Sequence, residues 1–115
     1  MISKEYRFSG PGSIRYVLRK GAVLRGSVVN VRYIKNSRNS SYRASVVVSK
    51  KITKSAPKRN RIRRRIYEII RLQSPDYLKN HDVVIIVLND SVATMEHSEL
   101  EQIIVGYLQQ IQQHS

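Results

Sequence analysis

The stretch "APKRNRIRRRIYEIIR", residues 56–71, concentrates side chains that bind phosphate. It contains seven Lys and Arg residues and a single acid, Glu68. The planar guanidinium of arginine donates two hydrogen bonds at once to a phosphate, and the amide of Asn60 can both donate and accept. These residue types and their density predict a surface that binds a polyanion.

Apolar residues in the same stretch predict a helix over residues 56–72, which would hold the charges on a rigid support. With Ile62 at zero and about 100° per residue, one apolar stripe emerges. The stripe consists of Ile62, Ile66, Ile69, Ile70 and Leu72. The opposite side carries Asn60, Arg64, Tyr67 and Arg71. We expect an exposed Tyr67 to offer a ring on which an unstacked base could lie.

A second basic segment precedes this helix, because "VVVSKK" places Lys50 and Lys51 at a strand end. A charged helix face is usually just a solvated surface, but such surfaces normally carry both signs of charge. This helix has only one acid, Glu68, so its charge favours a bound anion. A membrane surface fits less well than RNA, since the apolar stripe is needed for the core and has no Trp or Phe to insert. The predicted RNA-binding residues are Lys50, Lys51, Lys58, Arg59, Asn60, Arg61, Arg63, Arg64, Tyr67 and Arg71.

Composition supports an ordered RNA-binding protein. The chain has 115 residues, a net charge of +13 and 41% hydrophobic residues, which predicts a single folded domain over residues 1–115 with an anionic partner. Residues 1–74 carry twenty of the twenty-one Lys and Arg, whereas residues 75–115 carry six of the eight acids. The lack of cysteine excludes disulfides and the usual structural zinc sites, and it fits an intracellular protein.

The remaining segments predict the elements that position the basic helix. Residues 13–21 read as a short helix capped by Ser13 and ended by Gly21. Residues 27–34 and 42–50 read as strands, paired as a hairpin, with Val29, Val31 and Tyr33 on one side of the first. Residues 82–88 read as a strand buried on both faces, and residues 97–113 as a closing helix. The order α-β-β-α-β-α predicts an α+β fold with helices packed on a small mixed sheet.

The segment "SKK" followed by "KRNRIRRRIYEIIR" resembles the protein component of bacterial ribonuclease P. The stretches "RFSGPGSIRYVLRKG", "HDVVIIV" and "HSELEQIIVGYLQQI" are similar to other parts of that family, so the resemblance covers most of the chain. It implies an α-β sandwich with a left-handed βαβ crossover around the arginine helix. Physical reasoning alone would predict the opposite hand, since about 98% of such crossovers are right-handed.

The resemblance also implies a function. Ribonuclease P is a ribonucleoprotein endoribonuclease whose catalytic RNA uses Mg²⁺ to cleave the 5′ leader from precursor tRNA. The protein subunit would bind that RNA through its basic helix and the leader through a cleft beside the sheet. The expected partners are the catalytic RNA and precursor tRNA, with no membrane and no obligatory protein partner. We expect the protein to be cytoplasmic and to bind no metal alone, because the RNA would hold most of the Mg²⁺.

Individual positions follow from the resemblance. The run from Arg59 to Arg64 matches the family's basic motif, with Arg63 where lysine is usual, and Lys50 and Lys51 match its paired lysines. Ile14 and Leu18 stand where the family often has phenylalanines that line the leader cleft. Tyr33 is a weaker candidate for the same cleft. No residue of this chain is expected to be catalytic.

Two other functions stay open at this stage. A basic ribonuclease acting alone would need a general acid and a general base, commonly histidines. His81, His97 and His114 are present, but none lies in a recognisable site, and the carboxylates are too scattered to indicate a metal centre. A general or ribosome-associated RNA-binding protein without processing activity is the other alternative, against which the motif and the order of elements argue.

Overall fold

The computed structural model describes residues 11–35, 42–73 and 81–113, and these ranges form a mixed α+β fold. The helices are α1 (Pro11–Lys20), α2 (Ala56–Gln73) and α3 (His97–Gln113), with a 3-10 helix at Asp90–Ala93. The strands are β1 (Ala22–Leu24), β2 (Val29–Lys35), β3 (Arg43–Val47) and β4 (His81–Val87). The predicted fold class is confirmed, and the structure adds β1 and the 3-10 helix to the elements predicted from the sequence.

The four strands form one mixed sheet in the order β1-β2-β4-β3. Strand β2 is antiparallel to both β1 and β4, whereas β3 is parallel to β4. Parallel neighbours cannot be joined by a tight turn, so the chain between them makes a crossover that contains α2. The left-handed sense of this crossover stays a prediction from the family resemblance.

The predicted hairpin of β2 and β3 is wrong, because β4 lies between these two strands. Strand β4 pairs with β2 over its full length, from Val29 opposite Val87 to Lys35 opposite His81. All of β4 except Ile86 is buried, and a strand that is apolar on both faces gains most from a central position. The intervening residues 36–41 lie outside the described ranges.

The main core lies between one face of the sheet and the helices α2 and α3. On this face β2 and β4 present alternate residues, including Val31, Val83 and Ile85. The buried side chains of α3 are Leu100, Ile104, Leu108 and Ile111, all with no exposed surface. The boundaries predicted for this helix, residues 97–113, are confirmed.

Helix α1 packs on the opposite face of the sheet, where Val17 and Val84 form a smaller core. The helix begins at Pro11, so Ser13 lies in its first turn rather than capping it. It ends as predicted at Gly21, whose N–H donates to the Val17 carbonyl at 2.8 Å. A Cβ atom at Gly21 would lie 2.6 Å from that oxygen and 2.8 Å from the Tyr33 carbonyl, so a side chain would force the backbone apart.

Candidate RNA-binding surface

The start of α2 is fixed by Ser55 and Pro57. The Ser55 carbonyl accepts the Arg59 N–H at 3.0 Å, and its hydroxyl accepts the Lys58 N–H at 3.3 Å. A serine here satisfies N–H groups that have no partner inside the helix. Pro57 lies in the first turn, where its missing N–H leaves no hydrogen bond unmade. The basic helix therefore begins at a defined point and with a defined direction.

The buried side of α2 comprises Ile62, Ile66, Tyr67, Ile69 and Ile70. Tyr67 is only 7% exposed, and its hydroxyl accepts the Val46 N–H of β3 at 3.0 Å. The prediction that Tyr67 presents an exposed ring for base stacking is therefore wrong. The buried side chains span an arc from about −20° at Ile69 to about 140° at Tyr67. Tyr67 can belong to this arc because a tyrosine can bury its ring while its hydroxyl bonds to a backbone group. The buried side of α2 is therefore turned toward Tyr67 and away from Leu72. Leu72, which was assigned to the apolar stripe, is 56% exposed.

The other residues predicted to bind RNA all reach solvent. Asn60, Arg61, Arg64 and Arg71 are exposed on α2, and Lys50 and Lys51 are exposed in the turn after β3. Lys58, Arg59 and Arg63 are half-buried. The structure thus brings the basic motif and the paired lysines to the surface, on α2 and on the segment that leads into it.

Several of these side chains are held by local hydrogen bonds. Arg63 donates to the Asn60 Oδ1 at 2.7 Å, and Arg59 donates to the Thr53 carbonyl at 3.0 Å. Lys58 forms an ion pair of 3.1 Å with Asp90, the first residue of the 3-10 helix. The bond from Arg59 ties the turn before α2 to the helix itself, which limits how far the preceding lysines can move relative to the motif.

Arg61 and Arg64 differ from these neighbours. Both are exposed, and neither forms a hydrogen bond or an ion pair within the part of the chain that the structure describes. They are three positions apart, so they lie on adjacent turns of one helix face. Each guanidinium has five donors in a planar fork. Their full donor capacity is therefore open to an external anion.

Arg65 has a structural contact that the sequence does not indicate. Its guanidinium donates to the carbonyls of Val92 and Met95, which holds α2 against the 3-10 helix and the segment that leads into α3. Partial burial lowers the pKa of Arg65, and the positive charge of Arg61 lowers it further. This arginine faces the protein and so contributes to the position of α2 rather than to its outer charge.

The C-terminal end of α2 carries the acid of the helix. Glu68 accepts a charge-assisted hydrogen bond from Arg71 one turn later. This bond lowers the pKa of Glu68 and raises that of Arg71. The Arg71 charge is therefore partly neutralised within the protein.

The residues predicted for the leader cleft separate onto two sides of the sheet. Ile14 and Leu18 pack beside Val17 on the α1 face, and their role in a leader cleft stays a prediction. Tyr33 instead belongs to the main core, is 8% exposed, and has its ring centroid 6.1 Å from that of His81. Its assignment to the cleft is wrong, because the two-residue period of β2 points it to the α2 and α3 side.

Polar contacts also line the α1 face. The Arg43 guanidinium binds the Asp82 carboxylate through two hydrogen bonds of 2.9 and 2.6 Å. The hydrogen bond to Asp82 raises the pKa of Arg43, although partial burial opposes it. Arg32 donates to the Leu18 carbonyl at 2.7 Å and so binds the end of α1 to β2.

The structure gives no geometry for chemistry by histidine in the described ranges. His81 is 4% exposed at the start of β4, whereas His97 is exposed at the start of α3, 3.2 Å from Glu101. His114 lies outside the described residues. Among the residues described, no three His, Cys, Asp or Glu side chains group to hold a metal ion, and no helix is long and apolar enough to cross a membrane.

Three features of the site went unpredicted. Ser55 precedes Pro57 and matches an N-cap signature that could have been identified from the sequence. Tyr16 is 47% exposed beside basic residues of α1, and a helical projection of that segment would have placed it outside the apolar face. The contacts of Arg65 had no sequence signal, because its acceptors are backbone carbonyls about thirty residues away.

Comparison with known proteins defines the family. A family model described as Ribonuclease P matches residues 2–112. The ribonuclease P protein components of Roseiflexus castenholzii and Roseiflexus sp. are each 29% identical over 108 residues, which is 94% of this chain and 87% of theirs.

Solved structures show the same fold. The RNase P protein from Thermotoga maritima superimposes with a TM-score of 0.79 at 21% identity, over 90% of this chain and 96% of that one. The RNase P protein of Staphylococcus aureus superimposes with a TM-score of 0.77 at 23% identity, over 92% of this chain and 94% of that one. The chain belongs to the ribonuclease P protein family, and it acts in tRNA processing as an RNA-binding subunit that partners the RNA of ribonuclease P.

Proposed function

We propose that the outer face of α2, together with the turn before it, is the surface that binds the RNA of ribonuclease P. The observation that carries the proposal is the pair Arg61 and Arg64, exposed and without partners among the described residues. Lys50 and Lys51 extend this charge along the preceding turn. Neutralisation of phosphates by such residues releases counterions from the RNA, which makes binding favourable and strongly dependent on salt.

We further propose that the sheet face beside α1 receives the 5′ leader of precursor tRNA. Ile14 and Leu18 lie on the side of the helix that meets this face, and both are half-buried against the sheet. Aliphatic side chains give apolar contact without the ring faces on which bases stack best. We therefore expect leader binding to depend weakly on the identity of the bases.

The chemistry in this proposal belongs to the RNA. Two RNA molecules that approach each other repel through their phosphates, and either protein cations or Mg²⁺ can screen that repulsion. The RNA would hold most of the Mg²⁺ and carry out cleavage, while this protein supplies charge and position. We propose that it works in the cytoplasm.

The decisive experiment is reconstitution of precursor-tRNA cleavage with the cognate RNA subunit, with and without this protein, at low and high Mg²⁺. We expect stimulation at low Mg²⁺, greater for substrates that carry a leader. The double variant Arg61→Gln and Arg64→Gln should lose this stimulation and regain part of it at high Mg²⁺. Arg25→Gln with Lys35→Gln is the matched control, because it removes two exposed charges elsewhere.

Binding measurements separate this function from its alternatives. For about six neutralised phosphates, log K should fall with log[salt] at a slope of roughly −4 to −6, and the double variant should lose about 1–2 of that slope. Equal loss in the control variant would contradict the assignment to α2. RNA cleavage by the protein alone, abolished by His97→Gln, would favour an autonomous ribonuclease. Equal affinity for unrelated structured RNAs would favour a general RNA-binding protein.

A further inference from the structure

The outer side of α1 presents an aromatic ring among positive charges. Tyr16 is 47% exposed on the side of α1 that faces away from the sheet. Arg15, Arg19 and Lys20 are also exposed. On a helix these four residues fall within an arc of about 140°, opposite the apolar residues that contact the sheet. We call them the α1 outer patch.

Two carbonyls in the last turn of α1 have partners other than the basic side chains of this patch. Cations near a helix C-terminus commonly stabilise its unpaired carbonyls. Here the Arg32 guanidinium binds the Leu18 carbonyl, and the Gly21 N–H binds the Val17 carbonyl. Arg19 and Lys20 form no ion pair within the described residues, and α1 itself contains no acid. Their side chains are therefore available to an external anion.

The patch also lies apart from the α2 surface. Helix α1 packs on the sheet face that contains Val84, whereas α2 packs on the face that contains Val83 and Ile85. The two basic surfaces thus lie on opposite faces of one sheet. The inner side of α1, with Ile14 and Leu18, faces the sheet and is distinct from the outer patch. Neither RNA on α2 nor a leader on the inner side of α1 would contact the charges and the exposed ring on its outer side.

We propose that the α1 outer patch binds a further single-stranded RNA segment, distinct from the RNA on α2 and from the leader beside Ile14 and Leu18, with one base stacked on Tyr16 and the adjoining phosphates held by Arg15, Arg19 and Lys20. A ring face favours an unpaired base, because bases in a duplex are already stacked and inaccessible. The inference builds on the proposed function, since it assigns RNA binding to another surface. With both surfaces occupied, the protein would bridge two RNA segments across the sheet.

The test is a double-mutant cycle in the full chain, measured by titration of a fluorescently labelled short oligouridine and of a matched RNA duplex. Tyr16→Ala should weaken oligouridine binding by about 5- to 150-fold, the range for loss of one stacked base. Tyr16→Phe keeps the ring and should stay within about twofold of the unmodified protein. Circular dichroism confirms that each variant is folded.

The cycle combines Tyr16→Ala with the double variant Arg61→Gln and Arg64→Gln. Independent surfaces should give additive losses in binding free energy. The proposal would be overturned if Tyr16→Ala had no effect on oligouridine binding in the α2-neutralised protein, or if it weakened duplex binding equally.

A separate experiment measures binding to vesicles of phosphatidylcholine and phosphatidylglycerol. If vesicle binding requires Tyr16 while oligouridine binding does not, the patch is assigned to a membrane surface instead. The proposal for α2 would be refuted by a different result: normal binding of ribonuclease P RNA by the variant that carries Arg61→Gln and Arg64→Gln.

Discussion

Replacement of Tyr67 by phenylalanine tests whether this residue supports the fold or contacts RNA. The change removes one hydroxyl, which accepts the Val46 N–H at 3.0 Å in a buried environment. The ring stays, so little cavity forms, but a buried N–H of the edge strand β3 loses its acceptor. Such an unsatisfied group costs about 1–3 kcal/mol. For a domain of about 100 residues, each kcal/mol lowers Tm by about 4–8 °C.

Urea unfolding followed by circular dichroism measures the free energy of unfolding of Tyr67→Phe. The matched control is Tyr16→Phe, which removes the same hydroxyl from a residue that is 47% exposed and should change stability by less than about 0.5 kcal/mol. Well below its Tm, Tyr67→Phe should bind the ribonuclease P RNA with unchanged affinity. Weakened RNA binding together with unchanged stability would refute the burial of Tyr67 and restore it to the RNA-facing side.

Three further changes test other parts of the structure. Arg65→Lys should lower the free energy of unfolding by about 1 kcal/mol in denaturant titrations, because one ammonium cannot reproduce the fork that binds two carbonyls; an unchanged value would contradict that contact. Gly106→Ala should raise the free energy of unfolding by up to about 1 kcal/mol, because alanine favours a helix more than glycine does and a Cβ there meets nothing within 4 Å. Gly21→Ala should lower the free energy of unfolding, and thermal unfolding of both variants measures the contrast. Asp90→Asn should release Lys58 and strengthen RNA binding at low salt, and the gain should vanish in a Lys58→Gln background.

The sequence predicted the elements whose signal is local. The closing helix was placed correctly at residues 97–113, because Leu100, Ile104, Leu108 and Ile111 repeat at helical spacing and all are fully buried. The basic helix was also identified, since its isoleucines mark one buried side. The exposure of the basic motif followed directly from that assignment.

The errors concern contacts between distant segments. The sequence of β2 and β3 is compatible with a hairpin, and only the central position of β4 decides against it. Tyr33 was placed correctly beside Val29 and Val31, but periodicity does not say which side faces the main core. Tyr67 was assigned to the side opposite the apolar stripe, and its burial depends on the Val46 N–H of β3, which donates to its hydroxyl.

Basic residues in α2 either bind other parts of the protein or are exposed to an external anion. The number of positive charges therefore does not by itself predict the number of RNA contacts. Of the seven cations in residues 56–71, Lys58 and Arg71 are paired with acids, and Arg65 is bound to backbone carbonyls. Each of these has at least part of its charge or donor capacity committed within the protein. Since each neutralised phosphate adds about 0.7–0.9 to the salt slope, Arg61 and Arg64 alone cannot produce a slope of roughly −4 to −6. A slope of that size therefore requires about four more cations to contact phosphate, either Lys50 and Lys51 together with the remaining donors of Arg59 and Arg63, or some of these with the cations of the α1 outer patch.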